Sequence, residues 1–342
     1  MNYNSEPARD GLRLHLNENT AGCSPAVLAA LRAIERTDTA FYPEYGPVTA
    51  LVERSLGIAA GWVQLTNGLD EGLHVAAQAA ARDSRDASTV IVEPAFEMYA
   101  ACADAAGLRQ IHIPPPEDLS FPLDAVLRAL DASVRLISVT DPGNPTGLPV
   151  PANAIARLAE AAPQAIVFVD EAYADFSGRT AIPLLDRYRN VAVGRTFAKA
   201  YGLAALRAGA LIAHPDTLGL FRRLLPPYSL NIAAVRALEA AVSDRAYLDW
   251  YVGESEQSRR LIYDLCRRAG FAYWPSEANF VLVRVGDQAA ELVEALGRRG
   301  IFIRDKSRAP GCAGCVRITA GVSAHTRICV NAMEDILASR QN

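Results

Sequence analysis

The chain has almost no lysine. Only two of its 34 basic residues are lysines, Lys199 and Lys306, and the rest are arginines. Arginine provides a cation at any working pH but cannot act as an amine nucleophile, whereas a desolvated lysine can lose its proton and condense with a carbonyl compound. A lysine kept in so arginine-rich a chain is a candidate for chemistry, set against the plainer alternative of a leftover surface residue. Long apolar runs are also missing. Leu203 to Leu206 and Ala208 to Ala213 are broken by Arg207 and His214, well short of the roughly 20 residues a membrane span needs.

There is no excess of positive charge. A net charge of -4 with scattered arginines leaves no electrostatic footprint for nucleic acid, so small molecules are the expected partners. The opening Met-Asn-Tyr-Asn-Ser-Glu-Pro lacks a basic segment followed by an apolar run, so no secretory signal is expected and a cytoplasmic location is. Six cysteines do not make a disulfide framework in a chain this long. Cys312-Ala-Gly-Cys315 has metal-knuckle spacing, but no second pair follows, and it reads as a structural turn. The five histidines never recur at i and i+4, and no metal site is expected.

What the chain does have is bulk and alternation. With 342 residues, 51% of them hydrophobic, it can bury a large core, and two domains are expected. From about residue 60, short β-rich runs alternate with stretches of helical period, which predicts an α/β fold with a mainly parallel sheet and crossover helices. The strands read as Trp62 to Thr66, Thr89 to Glu93, Arg109 to Ile113, Val134 to Thr140, Ala165 to Asp170, Val191 to Gly194 and Gly209 to Ala213. The helices between them include Gly68 to Ala81, Glu97 to Ala106, Leu123 to Asp131 and Pro151 to Ala161. A long polar helix, Ala246 to Ala269, then leads into strands at Phe271 to Trp274 and Asn279 to Val283. A helix to Arg299, strands near Ile301 and Val316, and a last helix from Ser323 follow, predicting a smaller α+β unit. The expected division is an N-terminal segment, 1–30, that must pack on something else, a large domain, 31–244, and a small one, 245–342.

In an open parallel sheet ligands bind beyond the carboxyl ends of the strands. The strands here run into Asn67-Gly-Leu-Asp-Glu71, Glu93-Pro-Ala-Phe96, Asp141-Pro-Gly-Asn-Pro-Thr-Gly147, Asp170-Glu-Ala-Tyr173 and the segment Arg195 to Arg207 around Lys199. Each is weak alone: a glycine before acidic residues is often only a helix start, and Asn-Pro-Thr-Gly often only a turn. In this order and spacing the set is specific.

It resembles the fold-type I enzymes that use pyridoxal 5'-phosphate, and among them the class I and II aminotransferases, the histidinol-phosphate branch being the most similar. The resemblance runs through nearly the whole chain, from Leu16-Asn-Glu-Asn19 and Tyr42-Pro43 through the strand-end motifs to Ala278-Asn-Phe280, Ile303-Arg-Asp305 and Val316-Arg-Ile-Thr319. It implies that Lys199 holds the cofactor covalently and moves the substrate proton. Asp170 would pair with the pyridine nitrogen, and Asn144 and Tyr173 with the phenolic oxygen. Phe96 would stack on the ring, although an ordinary core aromatic is an equal reading. The cofactor phosphate would meet the amides of Gly68, Leu69 and Asp70 at a helix start, the Arg207 guanidinium and the Thr196 hydroxyl. Tyr42 would reach that phosphate from a neighbouring subunit, implying a homodimer with shared sites.

On the substrate side the resemblance implies Arg317 for a carboxylate, Arg304 for a substrate phosphate, and Asn19 with the rest of its segment lining the pocket near Asn279. Lys306 receives no role. The chain departs from the family pattern at Ala198, where serine is common before the lysine, and at Leu69, where a small residue is usual. A looser grip on the cofactor phosphate is expected. The function so implied is transamination of L-histidinol phosphate with 2-oxoglutarate and glutamate. Transamination of an aromatic or other amino acid, or decarboxylation of threonine phosphate, is the alternative on the same scaffold. A dinucleotide-binding oxidoreductase would need Gly-x-Gly-x-x-Gly after the first strand, which Asn67-Gly-Leu-Asp-Glu-Gly72 does not provide. A catalytically silent ligand sensor would not need Lys199, Asp170, Tyr173 and Arg317 together.

Overall fold

The structure, a computed structural model, describes residues 10–82 and 86–339. Residues 1–9 of the N-terminal segment and 340–342 of the C-terminal unit lie outside the described residues. The strands in chain order are β1 (Leu12–Leu14), β2 (Val63–Asn67), β3 (Ser88–Val92), β4 (Arg109–Ile113), β5 (Val134–Thr140) and β6 (Ile166–Asp170). They continue with β7 (Val191–Thr196), β8 (Ala208–Ala213), β9 (Ala272–Tyr273), β10 (Phe280–Arg284), β11 (Ile301–Asp305) and β12 (Cys315–Thr319).

Seven of them form one sheet in the order β2-β8-β7-β6-β5-β3-β4. From β7 to β4 every pairing is parallel, and only β8 runs antiparallel to both its neighbours. The fold is α/β, mainly parallel as expected. Its central strands are continuous apolar runs such as Val167-Phe-Val169, buried because helices cover both faces. The order doubles back between β5 and β3, and ligand-bearing loops in such sheets gather beyond the carboxyl ends of the strands.

Two helices that position the site match the expected bounds, Gly68–Ala81 and Glu97–Ala106. The first starts on Gly68, whose φ of +73° needs glycine's freedom. Glu71 in its first turn reaches back to accept the Asn67 amide at 2.6 Å, satisfying a donor the helix cannot. Other elements are shorter than expected. The helix from Leu123 ends at Arg128, the one expected from Pro151 begins at Ala154 after a turn closed by Ala154 N–H to Pro151 O, and β9 keeps only two residues.

The remaining strands form a second sheet, β1-β11-β12-β10-β9, antiparallel except where β1 pairs parallel with β11. The N-terminal strand thus pairs with strand Ile301–Asp305, far along the chain. Leu14 is fully buried among Ile262, Leu292, Ile303 and Met333, so this edge also closes the C-terminal core. The helix Arg245–Ala269 packs on this sheet and on the last helix, Ser323–Ala338. No helix among the described residues is long and apolar enough to cross a membrane.

Candidate active site

The carboxyl ends of β2, β5, β6 and β7 face β11 and β12 of the second sheet across a cavity of about 290 Å³. Lys199 lies on its wall, and the Lys199 Nζ donates to the Leu16 carbonyl at 2.9 Å. Burial, and then the nearby Arg317 cation, pull the Lys199 amine down to about 8, with Glu18 and Asp70 acting in the opposite sense. A lysine in that state gives up its proton far more readily than one in water.

Asp170 ends β6 with its carboxylate almost fully buried. Tyr99 donates its hydroxyl to Oδ2 at 2.7 Å, and the Ala172 amide donates to Oδ1 at 3.0 Å. Burial raises Asp170 to about 6, and these two donors hold it from rising further. The Tyr173 hydroxyl accepts from Asn17 Nδ2 at 3.0 Å and from Asn144 Nδ2 at 3.3 Å. Asn144 also accepts the Arg317 guanidinium on Oδ1 at 2.6 Å, and Arg317 donates its other nitrogen to the His15 carbonyl at 2.7 Å. Lys199, Asp170, Tyr173, Asn144 and Arg317, far apart in sequence, therefore share one connected wall.

At the other end Arg207 makes a 2.7 Å ion pair with Asp70, and both line the cavity with Leu69 and Thr196. Gly68 is absent from the wall but makes Arg207's position possible: a Cβ there would sit 2.6 Å from Arg207 Nη2. Gly209 on β8 has a similar part, because a Cβ would meet the Leu69 amide at 2.7 Å. Two glycines thus keep a backbone cradle open beside a guanidinium. Phe96 lines the same cavity and meets Tyr99 edge-on at 5.9 Å. Arg304 lines it from β11, in register with Arg317 on β12.

Two further expected residues lie off the wall. Asn19 does not line the cavity: its Nδ2 donates to the Ala200 carbonyl at 2.9 Å and its Oδ1 accepts from the Ala21 amide, so its polar groups brace the backbone beside Lys199. Asn17 occupies the wall instead, in a left-handed conformation (φ 56°) that Asn tolerates better than most residues. Tyr42 is 76% exposed and stacks on Tyr228 at 4.1 Å, outside its own chain's cavity. Asn279 lies just behind the wall, donating to the Asn17 carbonyl at 3.1 Å.

Sequence reasoning named the segment that holds Asn17 but not the residue, and it missed Tyr99 and Lys306. Asn17 stood inside the Leu16-Asn-Glu-Asn19 motif, and Tyr99 follows Phe96 by one helical turn, so both had a signal. Lys306 shared with Lys199 only the scarcity of lysine and had no motif around it, yet it lines the same cavity, both lysines of the chain converging there.

Comparison with known proteins agrees with this geometry. A histidinol-phosphate aminotransferase 2 from Ralstonia nicotianae is 34% identical over 340 residues, covering 96% of this chain and 90% of that one. A histidinol-phosphate aminotransferase from a Geobacillus species is 33% identical, covering 97% of this chain and 92% of its own. The crystal structure of histidinol-phosphate aminotransferase from Sinorhizobium meliloti in complex with pyridoxal-5'-phosphate superposes with a TM-score of 0.86 at 27% identity, covering 96% of this chain and 91% of that one. The sequence pattern of the family "Aminotransferase class I and II" matches residues 9–331, and the chain belongs to that family.

Proposed function

We propose that the enzyme is a pyridoxal 5'-phosphate-dependent aminotransferase that interconverts L-histidinol phosphate and imidazole acetol phosphate, with 2-oxoglutarate and glutamate as the exchanging pair. The observation that carries this reading is the pairing, on one cavity wall, of a lysine brought down to about 8 with a buried carboxylate held by two donors. The relatives above, alike over nearly their whole length, support the substrate.

The residues present fit the cofactor. An aldehyde calls for an amine, which is Lys199, and a protonated ring nitrogen calls for a buried anion, which is Asp170. The Asn144 amide and the Tyr173 hydroxyl are donors suited to a phenolic oxygen. The glycine-kept cradle beside Arg207, with Leu69, Asp70 and Thr196, suits a phosphate. When bound, the cofactor provides an electron-withdrawing ring that stabilises negative charge on the substrate carbon. Lys199 Nζ moves the proton to and from that carbon, which its lowered proton affinity favours at neutral pH. Arg317 binds the glutamate carboxylate through its planar fork, already oriented by Asn144 and the His15 carbonyl.

The reading includes a homodimer in which Tyr42 of each subunit reaches the other's cofactor phosphate. Its support is the exposure of Phe41, Tyr42 and Tyr228, with Tyr42 stacked on Tyr228 and none of the three lining their own cavity. It also divides the chain into the cofactor-binding residues 31–244 and the smaller unit 245–342, supported by the two separate sheets.

The test is a substrate panel. Cofactor-loaded protein is mixed with histidinol phosphate, phenylalanine, tyrosine and threonine phosphate, and the change in the bound cofactor's visible absorption is recorded for each. Histidinol phosphate is expected to react fastest and to yield an oxo product. Carbon dioxide from threonine phosphate without an oxo product would replace transamination by decarboxylation.

A further inference from the structure

By the reading above, a cavity of about 290 Å³ has to receive a substrate as well as a cofactor. That volume is at the bottom of the roughly 300–1,000 Å³ found for ligand sites. A second cavity of about 790 Å³ adjoins it, and both are lined by Ala95, Phe96, Glu97, Arg304 and Lys306. That shared wall carries the charged side chains of Arg304, Lys306 and Glu97.

Lys306 follows β11 directly, and its backbone N–H donates to the Cys315 carbonyl of β12 at 2.9 Å, anchoring the turn. Its side chain is only 13% exposed, and Nζ stands 3.7 Å from Glu97 Oε1, beyond hydrogen-bond reach. Glu97 is less dependent on the pair. It is 48% exposed and is the first residue of the helix Glu97–Ala106, where the helix dipole favours a carboxylate. Lys306 has neither water nor dipole to draw on. Burial, and then Arg317 with Arg304 against the partial offset of Glu97, bring its amine down to about 8. An anion arriving there meets an ammonium group to which Glu97 makes no hydrogen bond. Lysine also suits a phosphate monoester, because its compact charge and three rotatable donors impose no plane on the ligand.

We propose that the larger cavity is the distal half of the substrate site and that Lys306 is its specificity residue, binding the phosphate of a phosphorylated amine where the two cavities meet. The proposal rests on the reading of the enzyme as a transaminase of such an amine. It gives the second lysine of an arginine-rich chain a task as specific as that of the first. Amines without the phosphate would leave Lys306 at the junction without a ligand anion and would bind more weakly.

The test uses cofactor-loaded protein, in which the cofactor's own phosphate position is filled. Inorganic phosphate is titrated calorimetrically into the wild type, Lys306→Gln and Lys306→Arg. Loss of one charge-assisted hydrogen bond should weaken phosphate binding by roughly tenfold or more in Lys306→Gln, while the charge-preserving Lys306→Arg stays within about threefold. In turnover, Lys306→Gln should raise KM for histidinol phosphate with little change in kcat and leave KM for glutamate unaltered. Unchanged phosphate affinity in Lys306→Gln overturns the proposal, as does an equal rise in both KM values. Phosphate binding that depends on Lys306 in a wild type inert toward histidinol phosphate would overturn the substrate reading and leave Lys306 as an anion site. Turnover of histidinol phosphate with an unaltered KM in Lys306→Gln would do the opposite.

Discussion

The Tyr99 hydroxyl donates to Asp170 Oδ2 at 2.7 Å, and with the Ala172 amide on Oδ1 each oxygen of a buried carboxylate has its donor. The same hydroxyl lies 2.6 Å from Thr140 Oγ1, and since Tyr99 has one proton to give, Thr140 donates to it while Asp170 is ionised. Removing the donor in Tyr99→Phe should push Asp170 further above about 6, because this hydrogen bond lowers it. Loss of a hydrogen bond to a charged group costs about 1.5–3 kcal/mol. The acid limb of kcat/KM should therefore move up by about one pH unit or more. A pH–rate profile checks this, and an unmoved acid limb would show that Tyr99 does not tune Asp170.

Asp170 also predicts a pH dependence of stability in the cofactor-free protein. Its folded value of about 6 lies above the ordinary 3.8, so between these two pH values the folded chain binds more protons than the unfolded one. Its contribution to stability is therefore present below about 4 and falls as pH rises through about 6. The loss is about 3 kcal/mol for a shift of this size. Cofactor-free Asp170→Asn should accordingly be more stable than cofactor-free wild type at pH 7 and show no such advantage near pH 4. A bound cofactor with a protonated ring nitrogen supplies the missing counter-charge, and the loaded wild type should regain the difference. Chemical denaturation at the two pH values, with and without cofactor, decides it.

The two lysines should separate cleanly. Lys199→Arg keeps the charge but removes the amine, and should abolish both the bound cofactor's visible absorption and turnover. Lys306→Arg should abolish neither. With Lys199 at about 8, about a tenth of it is neutral at pH 7, and the rate of cofactor loading should rise about tenfold per pH unit up to about 8 and then level off. Stopped-flow absorption with cofactor-free protein measures this, and a rate still rising steeply above pH 9 would mean an ordinary, fully solvated lysine.

Much of this arrangement was legible in the chain, for identifiable reasons. The helices Gly68–Ala81 and Glu97–Ala106 were readable because each opens after a glycine- or proline-marked strand end and keeps an apolar period. The orientation of β8 was not readable. Ala208-Gly-Ala-Leu-Ile-Ala213 is a fully buried run, and such a run looks the same in a parallel or an antiparallel pairing. In Leu16-Asn-Glu-Asn19 the motif was visible, but which asparagine faces the cavity depends on the left-handed turn at Asn17. Lys306 reaches the wall only because β11 and β12 pair with Arg304 opposite Arg317, a long-range register with no local signature.

The cofactor's phosphate grip gives the last prediction. Arg207 is fixed from two sides, by its 2.7 Å pair with Asp70 and by the space that Gly68 leaves under its guanidinium. Gly68→Ala would place a methyl group 2.6 Å from Arg207 Nη2, at a φ of +73° that disfavours any side chain, so Arg207 must shift. Position 198, beside Lys199, carries Ala and no hydroxyl, and the Thr196 hydroxyl oxygen already accepts the Ala198 amide at 3.2 Å. Leu69, 6% exposed, adds bulk but no donor. The wild type should therefore lose cofactor on extended dialysis without added cofactor, Gly68→Ala faster still, and Ala198→Ser more slowly by a factor of about five, the worth of one added hydrogen bond near 1 kcal/mol. Residual visible absorption against dialysis time measures all three. Full retention in the wild type would mean that the amides at the helix start and Arg207 hold the phosphate without help from a hydroxyl at position 198.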